Sequence, residues 1–402
     1  VTHGNYIKFM ESHDRDVRKN AYNAVYDAYK ELINTIASAY NYNTKTDVVS
    51  ARIRKYESAR AAALSGDNIP AEVYDNLVAE VHKNLPAMHR YVELRKKLLG
   101  VDKLYMYDMY VPLIKLPETS VSFEEGLDIM RDALQPLGEE YLTKMNKGIE
   151  EGWIDVYENK GKTSGAYSFG CYDSYPYILL NYTDTLKDVF TIIHEMGHSM
   201  HSRYTRDEQP YIYGSHSIFT AEVASTVNES LLMQHLLRTE DEKEMRKYLL
   251  NMHLEEFRTT LFRQTMFAEF EDITHKAIES GETLTAEWMC QQYEDLNAQY
   301  YGSAVEKDDV IRYEWARIPH FYNAFYVYKY ATGYSAATAI SKKILTEGKP
   351  AAQDYIRFLK TGESDHPIEL LKIAGVDMSS PLPVQQAMET FNQLLDEFES
   401  LL

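Results

Sequence analysis

Cysteine is nearly absent from this chain: only Cys171 and Cys290 occur in 402 residues. Two thiols cannot build the disulfide framework of a small secreted scaffold, and reduced thiols in a cytoplasmic protein are the simplest expectation. Long apolar runs are lacking as well. No stretch of about 18 apolar residues occurs, which argues against a transmembrane helix. The opening VTHGNYIKFMESHDRDVRK has neither the basic start nor the apolar core of a secretory signal. It also has no initiator Met, so the chain is expected to be processed or part of a longer gene product. Positive charge is scarce. The 42 Lys and Arg face 61 Asp and Glu, a formal net charge of −19. So acidic a surface disfavours nucleic acid and anionic membrane as partners and favours solubility.

What is present is apolar and aromatic. Hydrophobic residues make up 45% of the chain, enough for a sizeable core, and 33 are tyrosines. Tyrosine has an apolar ring with a polar tip, which suits a cleft that binds extended chains, although most such rings simply pack. Helical spacing dominates. From Arg15 to Tyr40, Val17, Ala21, Val25, Ala28, Leu32, Ile36 and Tyr40 recur at intervals of three and four, predicting a helix. Residues 70–98, 242–279 and 385–402 read the same way, with Gly281 ending the 242–279 run. The exception is 163–182, TSGAYSFGCYDSYPYILLNY. Its Gly residues, Pro176 and strand-forming PYILLNY predict a short hairpin or ribbon. A strand edge can bind a peptide as one more strand, so a ribbon just before the next motif is a candidate substrate shelf.

That motif is His194-Glu195-Met196-Gly197-His198 within TDTLKDVFTIIHEMGHSMHSRY. Leu186, Val189, Phe190, Ile193, Gly197 and Met200 trace one helical face, with Thr183 or Thr185 as N-cap. On a helix, His194 and His198 lie one turn apart on the same side and can share a tetrahedral metal ion. Glu195 lies about 100° round and can reach a metal-bound water as general base. A catalytic zinc needs a third protein ligand. An extension to a third histidine at position 204 fails, because Tyr204 stands there. The remaining candidates are Glu208 in RDEQP, Glu222 in the helical pattern IFTAEVASTVNESLL, and His201. Glu229 falls two turns beyond Glu222 on the same face and could hold a ligand histidine in place.

HEMGH followed by Glu222 in TAEVASTVNE resembles the thimet-oligopeptidase family of zinc metallopeptidases, and within it the oligoendopeptidase F branch. The likeness extends through NKGKTSGAYSFG, PYILLNY, RQTMFAEFE, WARIPHFYNAFYVYKYATGYSAA and PIELLKIAGVDM, from about residue 159 to 378. It implies a mainly α zincin-type fold with a deep substrate channel and a small β ribbon beside the HExxH helix. One Zn2+ ion would be bound by His194, His198 and Glu222, with Glu195 as base. The resemblance also points to 317–334. There His320 and one or more of Tyr322, Tyr326 and Tyr328 would stabilise the tetrahedral intermediate, Tyr328 being favoured by the aromatic pattern. If 317–334 is helical, Tyr322 and Tyr326 share one face and Phe325 and Tyr328 the next.

These readings combine into one expectation. Residues 1–402 form a single catalytic region, with 1–150 a helical part of the channel wall and 151–402 the metal-binding part. Members of the family carry a further N-terminal helical region, which is expected to be missing here. The substrates are short unstructured peptides lying along the ribbon near Gly165, Ala166 and Tyr167, cut internally in the cytoplasm. The alternatives are a peptidyl-dipeptidase of the angiotensin-converting type, or a non-catalytic zinc- or peptide-binding protein. A cysteine or serine hydrolase built on Cys171 or Ser168 finds no His or Asp tied to either residue.

Overall fold

The computed structural model describes residues 1–115 and 120–402, leaving aside the side chain of His3. Among these residues the chain forms sixteen α-helices and one small sheet. In order they are α1 (His3–Met10), α2 (Arg15–Glu31), α3 (Ile33–Ile53), α4 (Ala59–Ser65), α5 (Ala71–Leu99), α6 (Phe123–Ala133) and α7 (Glu139–Glu150). Strands β1 (Ile154–Asp155), β2 (Tyr167–Phe169) and β3 (Tyr177–Leu179) follow. Then come α8 (Leu186–Glu208), α9 (Ile218–Thr239), α10 (Lys243–Glu256), α11 (Arg263–Glu279), α12 (Ala286–Tyr301), α13 (Tyr328–Glu347), α14 (Lys349–Leu359), α15 (Pro367–Ile373) and α16 (Leu382–Leu401). The mainly α fold expected from the sequence is the fold observed.

The chain divides into two compact units. The first contains residues 1–66, 77–115 and 255–331. Its core is aromatic: Tyr22, Tyr26, Tyr40, Phe270, Tyr293, Trp315 and Phe321 are all buried. A buried carboxylate, Glu314, is held by Arg263 at 2.6 Å, Arg317 at 2.7 Å and the Tyr293 hydroxyl at 2.5 Å. Such pairing is what lets a charge sit in a core. Glu255 is held likewise by Arg95 and Arg258. The second unit contains, among the described residues, 67–76, 120–254 and 332–402. In it α8 packs along α9, and the sheet lies against α8. The strand order is β1-β3-β2, with β3 parallel to β1 and antiparallel to β2, so β2 is an edge.

Three details depart from the predicted pattern. The run from Arg15 to Tyr40 is two helices, broken at Leu32 (φ −102°, ψ 5°), whose geometry is close enough to helical that the spacing continues across it. Its inward face is also shifted. Arg18, Ala21, Tyr22 and Tyr26 are buried, while Leu32 is 59% exposed. The 242–279 run is α10 and α11 joined through a π-helical segment, Phe257–Phe262. Residues 317–334 are not one helix. Short 3₁₀ turns span Ile311–Arg317 and Pro319–Tyr322, Phe325 sits at φ +55°, and α13 begins only at Tyr328. The sharing of a helical face by Tyr322 and Tyr326 is therefore corrected.

Candidate active site

Helix α8 begins with a capping box at Thr185. Its hydroxyl accepts from the Asp188 amide at 3.2 Å, and Asp188 accepts in return from Thr185 and Thr183. This fixes where the helix starts, and with it the rotation that sends Ile192, Ile193, Met196 and Met200 into the core. His194 and His198 then share the remaining side, their rings 4.8 Å apart and nearly perpendicular. Their Nε2 atoms are 3.2 Å apart.

Helix α9 brings the third group. Its approach to α8 depends on Gly197, where a side chain would meet the backbone of Ser225 and Ala224. Asn228 ties the two helices further, donating to the Ile193 carbonyl at 3.2 Å and to the Tyr141 hydroxyl at 3.0 Å. Glu222 Oε2 consequently lies 3.4 Å from both His194 Nε2 and His198 Nε2. His194, His198 and Glu222 form the one group of three metal-capable side chains found among the described residues. Neither rival third ligand joins it. Glu208 ends α8 near Lys360, and His201 stacks on His216 at 4.3 Å inside the protein. Burial keeps His201 well below the usual histidine range, so it is neutral.

The electrostatics of the cluster favour a cation. Burial opposes charge on His194, but Glu229 and then Glu222 outweigh it and raise its pKa to about 9. Burial would raise Glu222, yet His198 and His194 hold it down to about 2. Glu229 Oε1 lies 3.2 Å from His194 Nδ1. The alignment is poor for a hydrogen bond, so the contact is better described as an ion pair. Glu195, 8% exposed, is raised by burial, against which the charges of His194 and His198 and, last, the Ser168 backbone amide work.

That last contact places the ribbon. The amides of Ile178 and Leu180 donate to the carbonyls of Trp153 and Asp155 on the β1 side, so Tyr177 and Leu179 face β2. Ser168, opposite Ile178, therefore turns its own amide and carbonyl away from β3, towards the free edge. Its hydroxyl contacts Ser199 of α8 at 2.7 Å. Gly165, at φ +90°, has its carbonyl held by Asn181 at 2.8 Å. Gly165 and Ala166 line a cavity of about 260 Å³ with Asn181, Tyr182, Asp188 and Thr191. The Tyr167 ring is exposed. Cys171 is an exposed free thiol. The roles of Gly197, Asn228 and the Ser168 amide were not read from the sequence. The glycine inside HEMGH was the available signal for a close helix contact.

The remaining candidates lie in the first unit. His320 is exposed and stacks on half-buried Tyr326 at 5.8 Å, and Tyr330 packs edge-on against both. Tyr322 is 44% exposed, whereas Tyr328 is 1% exposed at the start of α13.

Comparison with known proteins follows the same lines. The sequence model of peptidase family M3 matches residues 8–390. Oligopeptidase PepF of Bacillus subtilis is 54% identical over 402 residues, all of this chain and 60% of that protein's length. An oligoendopeptidase F homolog of Lactococcus lactis is 47% identical over all of this chain and 67% of its own. The crystal structure of oligoendopeptidase-F from Enterococcus faecium is similar with a TM-score of 0.83 at 41% identity, over 100% of this chain and 66% of that one. A solved structure from Chlamydophila abortus gives 0.94 at 42%, over 100% and 67%.

Proposed function

Because this chain belongs to peptidase family M3, we propose that it cuts internal bonds of short unfolded peptides, using one zinc ion held by His194, His198 and Glu222. The observation that carries this reading is the triangle of ligand atoms, with edges of 3.2, 3.4 and 3.4 Å. Ligands about 2.0–2.1 Å from a tetrahedral centre stand about 3.3–3.4 Å from one another, so the donors suit zinc without rearrangement. A bound zinc ion supplies a Lewis acid and a water of lowered pKa.

The other work falls to the chain's own groups. Glu195 takes the proton of the attacking water and returns it to the leaving amine, and the raised affinity of its buried carboxyl for protons suits both steps. Glu229, against His194 Nδ1, aims the opposite ring nitrogen at the metal position. His320 and a tyrosine among Tyr322, Tyr326 and Tyr328 are the proposed donors to the oxyanion. The peptide adds to the free edge of β2 near Gly165, Ala166 and Tyr167, bound through its backbone, which makes side-chain preference loose. An exposed free thiol at Cys171 fits a reducing cytoplasm.

The test is cleavage of a quenched fluorescent peptide blocked at both ends, with and without a chelator, then with zinc restored. Internal cleavage stopped by the chelator and recovered with zinc is the expected result. No cleavage by protein carrying stoichiometric zinc would contradict the proposal and point to a binder or a dipeptide-releasing enzyme.

A further inference from the structure

The segment RQTMFAEFE contains a buried acid that none of the roles above uses. Glu271, on α11, is 0% exposed. Its Oε1 accepts from the backbone amide of Phe325 at 3.0 Å, while its Oε2 has no hydrogen-bond partner among the described residues. Phe325 is a non-glycine residue at φ +55°, a conformation that persists only where the surroundings hold it. One helical turn beyond Glu271, the buried His275 ring packs on the Phe325 ring at 4.6 Å. His275 is fixed in turn, with Nδ1 against the Glu271 carbonyl at 2.8 Å and Nε2 3.5 Å from Asp47. Two side chains of one helix thus grip the amide and the ring of the same strained residue.

The turn at Phe325 lies in the link between the Pro319–Tyr322 turn and α13, across which the His320 ring meets those of Tyr326 and Tyr330. We propose that Glu271 is a positioning residue: with His275 it clamps the left-handed turn at Phe325 and thereby sets the pose of His320 and Tyr326. The assignment of work to that pair rests on the proposed peptidase function; the clamp itself does not. The acid acts uncharged. Burial lifts it well above the ordinary carboxylate range, and the charges of Asp47 and Asp272 push the same way against the single Phe325 amide.

A neutral acceptor is therefore enough, which separates two substitutions. Glu271→Gln keeps the acceptor; Glu271→Met keeps the bulk and removes it. Hydrogen–deuterium exchange of the 323–328 segment should be unchanged in Glu271→Gln and faster by roughly tenfold or more in Glu271→Met. In peptide cleavage, Glu271→Met should lower kcat by roughly ten- to a hundredfold and change KM by less than about threefold, with bound zinc unchanged, and Glu271→Gln should restore kcat. If Glu271→Met does not fold, Glu271→Asp, which withdraws the acceptor by one methylene, carries the same comparison. Wild-type exchange at 323–328 in Glu271→Met, or a Glu271→Gln as impaired as Glu271→Met, would overturn the clamp. An inactive wild-type protein with the predicted exchange pattern would instead overturn the peptidase reading and leave the clamp standing.

Discussion

A methyl group at Gly197 would stand 2.6 Å from the Cα of Ser225 and 2.7 Å from the Ala224 carbonyl oxygen. Both are backbone atoms, so the helices would have to separate. Gly197→Ala should cost about 1–3 kcal/mol of stability and weaken metal binding as Glu222 moves off. Thermal unfolding with metal titration checks this, and unaltered affinity would show that the contact does not place the ligand. Glu229→Gln should weaken metal binding by roughly ten- to a hundredfold without unfolding the protein, measured by competition with a chelator. The sign of the pH dependence follows from the same residues. His194, raised to about 9 in the metal-free protein, contributes stability that is full below about 6.5 and lost as pH rises through about 9. Glu222, held near 2, contributes stability that is full above about 4.5 and lost as pH falls through about 2. Metal must displace the His194 proton, so affinity should climb by about tenfold per pH unit from neutrality towards pH 9. A flat profile over that range would contradict the account. At this scale the sequence spelled out His194, Glu195 and His198, because adjacent helical turns are read directly from spacing. Glu222 could be singled out only by resemblance, since its approach depends on the packing of a second helix.

Between elements, the informative contact is the edge of β2 against α8. Backbone groups alternate in direction along a strand, so only every second amide of a bound peptide can pair with the edge. Two peptides that differ only in which of two adjacent amides is N-methylated should therefore differ in KM by roughly tenfold or more; equal values would exclude binding as an added strand. The hairpin itself was legible, because Gly, Pro176 and strand-forming PYILLNY mark it locally. The break at Leu32 was not, since a residue near helical geometry barely disturbs the spacing of apolar positions. Nor was the inward face of α2. An aliphatic stripe suggested Val17, Val25 and Leu32, whereas Tyr22 and Tyr26 fill the core with larger rings. The turn at Phe325 is the clearest miss. Left-handed backbone is signalled by Gly or Asn, and here a phenylalanine is forced into it by partners more than 45 positions away on α11.

For the molecule as a whole, the proposed metal joins two long helices of the second unit, and the cluster around it includes Glu195, Glu222 and Glu229. Ligand that binds only the folded state adds stability with its concentration, about 4 kcal/mol at a thousandfold excess over Kd. Chelation should therefore lower the unfolding temperature, and readdition of zinc should restore it. An unchanged transition would mean that the cluster holds no ion. Many of the 33 tyrosines are packed in the core, where they bear on stability. Tyr26, Tyr40, Tyr74, Tyr91, Tyr141, Tyr204, Tyr293 and Tyr300 are among the largest fully buried side chains. A composition cannot separate such packing rings from those that meet a substrate. The measurement that tests the central claim most directly is made on Glu195→Gln: bound zinc and peptide turnover in the same preparation. The account predicts one zinc per chain, as in the wild type, with kcat reduced by about a hundred- to ten-thousandfold. Full turnover in that variant would contradict it.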